Sequence, residues 1–293
     1  MNSIFITGSS GFVGFNLIEY FASSIFLKYQ RGAPIEINQD IVIHLAGKAH
    51  DLKNTSSSHE YYEVNTELTK IFFDAFLASE AKVFITLSSV KAVADEVDGF
   101  LTEDYIPKPI THYGKSKLLA EQYIFSQEIP DGKRVYVLRP SMIHGPGNKG
   151  TLNLLYKIVS KNIPWPLGAF QNKRSFCSID NLMFIFKELI ERADIPSGIY
   201  NVADDEPLAT NELICLIAQS QNKKPRFWKI TKGFIEFVSA LGDKLHLPLN
   251  TERLKKLTSS YMVSNAKIKM AIGKPLPASS KEGLIKTFKS FNN

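Results

Sequence analysis

The chain has 293 residues, of which 44% are hydrophobic and 22% are charged, and its formal net charge is +6. This ordinary composition excludes an intrinsically disordered chain, a collagen-like chain and a coiled coil. The length allows one large domain with an additional lobe, or two domains. The modest positive charge suits anionic ligands as readily as nucleic acid, and without a recognition helix in the sequence pattern we expect no nucleic-acid partner.

The amino terminus and the cysteines indicate the compartment. No basic region precedes the first apolar run, which Gly8 interrupts early, and no stretch reaches the roughly 18 apolar residues of a membrane helix. We therefore expect no signal peptide, no membrane partner and a cytoplasmic location. Cys177 and Cys215 lack the close spacing of metal ligands, so we expect two reduced thiols.

The first half of the chain alternates between predicted strands and helices. Because strands that alternate with helices form right-handed βαβ units, the pattern predicts an α/β fold with a doubly wound parallel sheet. The predicted strands are residues 3–7, 25–29, 41–46, 83–87 and 134–138. One predicted helix begins at residue 12, and two others span residues 66–79 and 116–126.

After Pro146 the pattern becomes mostly helical. The predicted helices are residues 152–160, 181–192, 210–219 and 232–241, with a short strand at 198–202. We therefore expect a smaller, mostly helical C-terminal lobe that binds the substrate. The predicted boundaries assign 1–147 and about 174–204 to the sheet domain, and 148–173 and 205–293 to the lobe.

Three glycines follow the first predicted strand. Gly8, Gly11 and Gly14 stand between that strand and an apolar helical pattern that begins at Phe12. In such a strand–turn–helix unit, backbone N–H groups approach a pyrophosphate, and the helix N-terminus favours its negative charge. The spacing is GxxGxxG rather than GxGxxG, a weak signal alone, but its position favours a dinucleotide site.

Tyr113 and Lys117 are four residues apart, which places them on one face of a helix. An ammonium stabilises a nearby phenolate, so we expect Lys117 to lower the pKa of Tyr113 and to suit it to proton transfer. Ser88 and Ser89 follow the buried strand 83–87, where ligands bind in a parallel sheet. Ser89 is the predicted hydrogen-bond partner of a substrate oxygen, whereas Ser88 is equally suited to capping the turn.

Together these residues resemble the extended short-chain dehydrogenase/reductases of the NAD-dependent epimerase/dehydratase family. The resemblance implies a Rossmann domain, NAD or NADP as cofactor and a nucleotide-sugar substrate, expected here to be a UDP-sugar. A homodimer is common in the family and is an open alternative to a monomer. Further matching residues, in the family's order, are His44-Leu45-Ala46-Gly47, Asn65, Arg139-Pro140, Gly145-Pro146-Gly147, Arg174-Ser175-Phe176 and Ile179-Asp180-Asn181.

The resemblance also implies roles for individual residues. Ser89, Tyr113 and Lys117 form the catalytic set, and the last two also hold the nicotinamide ribose. Substrate contacts are implied for Ser89, Lys149, Arg174 and Arg253, where plain surface charge is the alternative for each arginine. The other implied cofactor contacts are Gly8, Ser10, Gly11, Phe12, Val13, Gly14, Leu45, Ala46, Gly47, Ser88 and Pro140.

Two departures from the family's pattern narrow the reaction. Val90-Lys91 stands where the dehydratases have an Asp-Glu pair, so no acid or base is in place to remove water. Met142 stands where many 4-epimerases have an asparagine. The run Ser88-Ser89-Val90-Lys91-Ala92, with the pattern from Arg139-Pro140 to Gly150, resembles the branch that contains the UDP-4-keto-6-deoxy-N-acetylhexosamine reductases. This resemblance implies a reductase of the C4 ketone of such a sugar, acting in surface-polysaccharide precursor synthesis. The alternatives are a UDP-N-acetylhexosamine or UDP-glucose 4-epimerase and, more remotely, a non-catalytic nucleotide-sensing protein.

The segment before His44 is short for this family, which has two strands and a helix there. No acidic residue takes the place that binds the adenosine ribose in NAD enzymes. Lys28 and Arg31 either accept the 2′-phosphate of NADP or belong to loop surface, so NAD and NADP both stay open. No carboxylates accompany His44 and His50, and we expect no metal site.

Two features of the sequence are each open to two interpretations. The segment Trp165-Pro166-Leu167-Gly168-Ala169-Phe170 either forms a loop over the nucleotide, with an aromatic ring on uracil, or packs into a core. His144 either packs or donates a hydrogen bond to the substrate.

Overall fold

The computed structural model describes residues 2–48, 57–148, 150–245 and 250–291, and every structural statement below refers to these residues. A π-helical turn covers Glu63–Glu67, and a 3-10 turn covers Val90–Ala92. The strands are β1 Ser3–Thr7, β2 Ile25–Lys28, β3 Ile41–His44, β4 Val83–Leu87, β5 Phe100–Leu101, β6 Arg134–Pro140, β7 Met142–His144, β8 Phe176–Ser178, β9 Gly198–Val202 and β10 Met262–Val263. The helices are α1 Phe12–Tyr20, α2 Ser58–Tyr62, α3 Leu68–Ala78, α4 His112–Ser126, α5 Thr151–Ser160, α6 Ile179–Glu191, α7 Thr210–Ser220, α8 Lys232–Leu245, α9 Thr251–Thr258, α10 Ala266–Ile272 and α11 Ser280–Ser290.

Six parallel strands form the central sheet in the order β2-β1-β3-β4-β6-β9. The interior strand β3 is buried along its whole length, as expected for a parallel strand with helices on both faces. The register sets Thr7 beside His44 and His44 beside Thr86, so the carboxyl ends of three strands meet at one edge. The connections reverse direction at β1, and ligands bind at such a switch point.

Two layers of helices cover the sheet. One face packs on α1, α6 and α10 around residues such as Leu17 and Phe186. The other face packs on α3 and α4 around Phe72, Phe84 and Ile124. Burial of these side chains is the main favourable contribution to folding. The predicted α/β, doubly wound Rossmann-type architecture is confirmed.

The sheet is reduced at its β2 edge. The usual dinucleotide-binding order has two strands outside the first one, whereas here β2 alone lies there. Residues 29–40 connect β2 to β3 without a helix, and Tyr29, Ile35 and Ile37 cover the sheet face in its place. The compression expected before His44 is therefore confirmed.

The helices after β7 build a second apolar core. Side chains from α5, α7, α8, α9 and α11 pack together, in agreement with a mostly helical lobe. Trp165 and Phe170 are buried in this core, so the structure supports the packing interpretation of that segment. The last strand of the central sheet, β9, lies in the returning segment 174–204. The residue-level domain boundaries stay a prediction.

Candidate active site

A glycine turn joins β1 to α1 at the switch point. Gly8 has a φ of +69°, and a Cβ there would lie 2.6 Å from backbone atoms of Leu45 and Ala46. A Cβ on Gly14 would lie 2.3 Å from the Gly8 carbonyl oxygen. Glycine therefore permits the close approach of α1 and of the loop after β3. Gly11 caps α1 without a side chain, and the first turn holds no acidic residue, which suits an anion.

Asn65 ties the loop after β3 to α4. The Lys48 N–H donates to Asn65 Oδ1 at 2.8 Å, and Asn65 Nδ2 donates to the Lys48 carbonyl and to Ser116 Oγ, each at 3.1 Å. A Cβ on Gly47 would lie 3.1 Å from Lys117 Nζ. The loop that carries the predicted cofactor contacts is thus held between the glycine turn and the Lys117 side chain. Asn65 itself lies in the π-helical turn, a distortion that often marks functional sites.

His44, at the end of β3, is hydrogen-bonded at both ring nitrogens. Nδ1 is 2.8 Å from Thr7 Oγ1, and Nε2 is 3.0 Å from Thr69 Oγ1. The Thr69 hydroxyl donates to the Asn65 carbonyl, so Nε2 of His44 must carry the ring proton and donate it. Thr7 Oγ1 accepts from the Ala46 N–H and is free to donate to Nδ1. This network fits the neutral imidazole.

The environment of His44 agrees with that protonation state. Burial lowers the pKa of His44 to about 3, and the charge of Lys117 is the smaller cause. His44 therefore links β1, β3 and α3 through hydrogen bonds. Because both ring nitrogens already have partners, neither is open to a metal. His50, the other histidine considered as a ligand, lies outside the described residues.

Helix α4 places Tyr113 beside Ser89. The helix begins one turn earlier than predicted, because the Thr111 side chain caps it by accepting from the Gly114 N–H. A Cβ on Gly114 would lie 2.3 Å from the Lys91 carbonyl oxygen, so glycine allows the first turn of α4 to contact the 3-10 turn. This approach brings the Tyr113 hydroxyl into a hydrogen bond with the Ser89 side chain.

Lys117 lies one turn further along α4, and its Nζ donates to the Leu87 carbonyl at 2.9 Å. Burial lowers the pKa of Lys117 to about 8, although the charge of Glu121 opposes this shift. Burial raises the pKa of Tyr113 above its usual value, and the Ser89 hydrogen bond offsets this in part. The expected net lowering of the Tyr113 pKa is therefore wrong, because desolvation dominates. Tyr113 is protonated at neutral pH and suited to act as an acid.

A buried ion pair supports this face of α4. Arg139 Nε donates to Glu121 Oε1 at 2.9 Å, and the Ser88 hydroxyl donates to the same carboxylate. Arg139 and Glu121 are 3% and 2% exposed. Tyr113, Lys117 and Glu121 occupy successive turns of α4, so the pair fixes the rotation of the catalytic face. The Ser88 hydroxyl is thus hydrogen-bonded to the Glu121 carboxylate of this pair. Its contact with the cofactor stays a prediction.

Lys91, two residues after Ser89, packs against a residue from a distant part of the chain. Lys91 Nζ lies 4.0 Å from the centroid of the Tyr261 ring, and the Tyr261 hydroxyl donates to the Ala94 carbonyl at 2.7 Å. Burial lowers the pKa of Lys91, and the neighbouring charge of Arg174 acts in the same direction. Sequence reasoning placed Arg174 at the substrate but gave no role to Lys91 or Tyr261. The signal that could have identified Lys91 was its position, because this lysine stands where the dehydratases have an acidic residue.

The other residues that the sequence predicted at the site differ in their location and burial. Pro140 is buried at the end of β6, and Arg253 is exposed in the first turn of α9. Lys149 lies outside the described residues. His144 is fully buried, with Nδ1 2.9 Å from Thr287 Oγ1, which supports its packing role.

A family comparison decides the class of protein. Residues 32–203, more than half of the chain, match the NAD dependent epimerase/dehydratase family. The chain belongs to this family. The predicted resemblance is confirmed, and with it an NAD(P)-dependent enzyme of the extended short-chain dehydrogenase/reductase type.

Individual relatives agree with this assignment. The chain is 28% identical to a UDP-glucose 4-epimerase of Vibrio cholerae, over 99% of this chain and 95% of the relative. It is 26% identical to a GDP-6-deoxy-D-mannose reductase of Pseudomonas aeruginosa, over 73% of this chain and 79% of the relative. The crystal structure of a UDP-N-acetylglucosamine 4-epimerase from Bacillus cereus has the same fold, with a TM-score of 0.78, 18% identity and complete coverage of both chains.

The described residues of this family member fit a nicotinamide dinucleotide. Gly8 and Gly14 let the turn pack closely on its own backbone and on the loop after β3, and Ser10, Phe12 and Val13 lie at the start of α1, where the first turn holds no acidic residue. The predicted NAD or NADP cofactor is confirmed at the level of the family, whereas the individual contacts stay a prediction. Across the described ranges, no helix combines the length and the apolar character needed to cross a bilayer.

Proposed function

We propose that the chain reduces the C4 ketone of a UDP-4-keto-6-deoxy-N-acetylhexosamine with a nicotinamide cofactor, in surface-polysaccharide precursor synthesis. The observation that carries this proposal is the hydrogen bond between the Tyr113 hydroxyl and the Ser89 side chain, beside Lys117. Two hydroxyl groups joined in this way are close enough to contact one carbonyl oxygen together. The lysine at position 91 supports a ketone reduction over a dehydration, because it offers no carboxylate.

The chemistry divides between cofactor and protein. When bound, the nicotinamide supplies the hydride. The Tyr113 hydroxyl, kept protonated by burial, donates its proton to the oxygen that becomes the C4 alkoxide. The Ser89 hydroxyl donates a hydrogen bond to the same oxygen as charge develops. Lys117, one turn away, stabilises the phenolate that remains on Tyr113.

The open β2 edge supports a reductase. A reductase exchanges its cofactor on every turnover, whereas a 4-epimerase re-uses the cofactor that it holds. In dinucleotide-binding sheets the adenosine ribose binds near the end of the second strand. Here residues 29–40 form no helix, and Lys28 and Arg31 are exposed. These cations, with no carboxylate at residues 28–35, favour the 2′-phosphate of NADP over the ribose diol of NAD.

The substrate's diphosphate is the proposed ligand of the cationic side of the site. Arg174 is partly buried, and this burial lowers its pKa. A guanidinium held in this way suits a phosphate. Lys91 adds a second positive charge beside it. Lys149 and Arg253 remain proposed substrate contacts on the resemblance alone.

A UDP-N-acetylhexosamine or UDP-glucose 4-epimerase is the second candidate. The observation in its favour is the Vibrio cholerae relative, which is named a UDP-glucose 4-epimerase and matches nearly the whole chain. The same Ser89, Tyr113 and Lys117 would oxidise C4 and then reduce it from the other face.

The deciding experiment follows the cofactor and the sugar together. Purified protein is given UDP-4-keto-6-deoxy-N-acetylglucosamine with NADH or NADPH, and separately UDP-N-acetylglucosamine with NAD. Steady oxidation of the reduced cofactor that depends on the keto sugar supports the reductase. Inversion at C4 without net redox change supports the epimerase instead. If neither occurs and Tyr113→Phe leaves the biological activity unchanged, the catalytic proposal fails and the nucleotide-sensing alternative stands. Light scattering on the same preparation tests the proposed homodimer.

A further inference from the structure

The excess of positive over negative charge in the chain comes from one segment. Residues 221–260 contain nine Lys and Arg and three Asp and Glu, a net charge of +6. The rest of the chain holds 26 residues of each sign, so its net charge is zero. The segment belongs to the helical lobe and includes α8 and α9. A localised charge of this size creates a field that attracts an anionic surface.

The same segment exposes a stripe of large apolar side chains. On α8, Phe234 and Phe237 are 59% and 66% exposed, and Leu241 and Leu245 are also exposed. With 3.6 residues per turn, these four positions fall on one narrow face of the helix. The face that packs into the lobe is a different one, marked by the buried Ile235. The apolar stripe is therefore not needed for the lobe's own core.

Acidic and basic side chains lie on different sides of α8. Glu236 and Asp243 fall on the side of the helix opposite the stripe, whereas Lys244 falls beside Phe237. Before the helix, Lys224, Arg226 and Lys229 are exposed. Among the described residues, no carboxylate lies within ion-pair distance of these three or of Lys244. The exposed Trp228 stands among them.

We propose that α8 and the exposed residues 224–229 before it form a docking surface for an anionic lipid bilayer, with the α8 stripe inserted at the level of the headgroups. An interfacial helix has this combination of Phe and Leu on one face with flanking lysines, and tryptophan prefers the same depth. Charge complementarity favours lipid phosphates, because the acidic residues of α8 face away from the stripe. The lobe then holds the enzyme at a membrane surface without a spanning helix, which revises the expectation of no membrane partner.

The test uses the full chain and vesicles of equal parts phosphatidylglycerol and phosphatidylethanolamine, with phosphatidylcholine vesicles as the uncharged comparison. We expect flotation with the anionic vesicles alone, weakened by added salt. The emission of Trp228 shifts to the blue on binding, and Trp165, the other tryptophan, is already buried. Phe234→Ser with Phe237→Ser lowers the partition coefficient at least about tenfold. The matched control is Ile106→Ser with Met270→Ser, two exposed apolar residues elsewhere, which leaves binding unchanged.

A second variant keeps the test decisive if the serine variant misfolds. Lys224→Glu with Lys229→Glu lowers binding by about fivefold for each charge neutralised, and by more for the reversal. The proposal is overturned if the wild-type protein does not float with anionic vesicles, or if both variants float as well as it does. It is also overturned if light scattering finds a dimer that the serine variant dissociates, because the stripe is then an interface between two copies.

Discussion

The centre of the sheet and its β2 edge differ in how their polar groups are held. At the centre, His44, Lys117, Glu121 and Arg139 are all buried, and each makes hydrogen bonds to neighbouring elements. At the edge, the side chains of β2 are mostly exposed, and residues 29–40 follow without a helix. The polar groups at the centre are therefore fixed by hydrogen bonds away from solvent, whereas the side chains at the edge are accessible to it.

Breaking the buried ion pair at the centre has the largest expected effect. Glu121→Gln leaves the Arg139 charge buried without a counter-charge, and we expect a loss of about 3–5 kcal/mol in the free energy of unfolding, measured in urea. The control, Asp180→Asn, breaks the exposed pair with Lys286 and changes stability by at most about 1 kcal/mol. Equal losses in the two variants would contradict the role assigned to the centre.

Removal of the catalytic hydroxyl acts on the rate and spares the fold. Tyr113→Phe removes the acid, and we expect kcat to fall by about a hundredfold to ten-thousandfold with little change in Tm. The control is Tyr123→Phe on the same helix, whose hydroxyl donates to Asp74 away from the site, and which keeps its kcat. Near-normal turnover of Tyr113→Phe with the keto sugar would refute the proposed proton donor.

The buried ammonium of Lys117 predicts a pH dependence of stability. Its pKa of about 8 in the folded chain lies below the ordinary value of 10.5. Between these values the unfolded chain binds a proton that the folded chain does not, so stability rises with pH across this window. The rise that Lys117 contributes is up to about 3 kcal/mol.

The measurement compares urea unfolding at both ends of that window. Lys117→Met lacks this contribution, whereas Lys115→Met, an exposed lysine on the same helix, keeps it. A rise of the same size in both variants would show that Lys117 is not its source.

The smallest effect is expected at the open edge. Arg31→Glu replaces a cation near the proposed 2′-phosphate site, and we expect KM for NADPH to rise about tenfold with KM for NADH little changed. The control is Lys82→Glu, the same charge reversal at the amino end of β4. Unfolding stability stays within about 0.5 kcal/mol for both exposed sites. An equal rise in KM for the two cofactors would remove the support for NADP.

Much of the fold was readable because its signals are local. The buried strands 3–7 and 83–87 are short apolar runs bounded by polar residues, and the structure has them at the same positions. The start of α4 was placed one turn late, because its cap at Thr111 and the tight contact at Gly114 depend on a neighbouring segment. β5, β7, β8 and β10 were missed, because each has only two or three residues.

In the candidate site, too, the sequence predicted the features with local signals and missed those that depend on distant segments. The chemical types and spacing of Gly8, Ser89, Tyr113 and Lys117 identified the reaction class. The partners of those groups were beyond the sequence, since Lys117 contacts the Leu87 carbonyl across thirty positions of chain.

The sequence by itself therefore determined the family and the shortened segment before His44, and it supplied the predicted dinucleotide turn and the predicted catalytic set. These depend on residue type and spacing, which the chain states directly. Only the tertiary structure decided that partial burial raises the pKa of Tyr113, that Glu121 and Arg139 form a buried pair on the same helix, and that an apolar stripe of α8 stays uncovered. Desolvation and solvent exposure belong to the packed chain as a whole, and no local pattern specifies them.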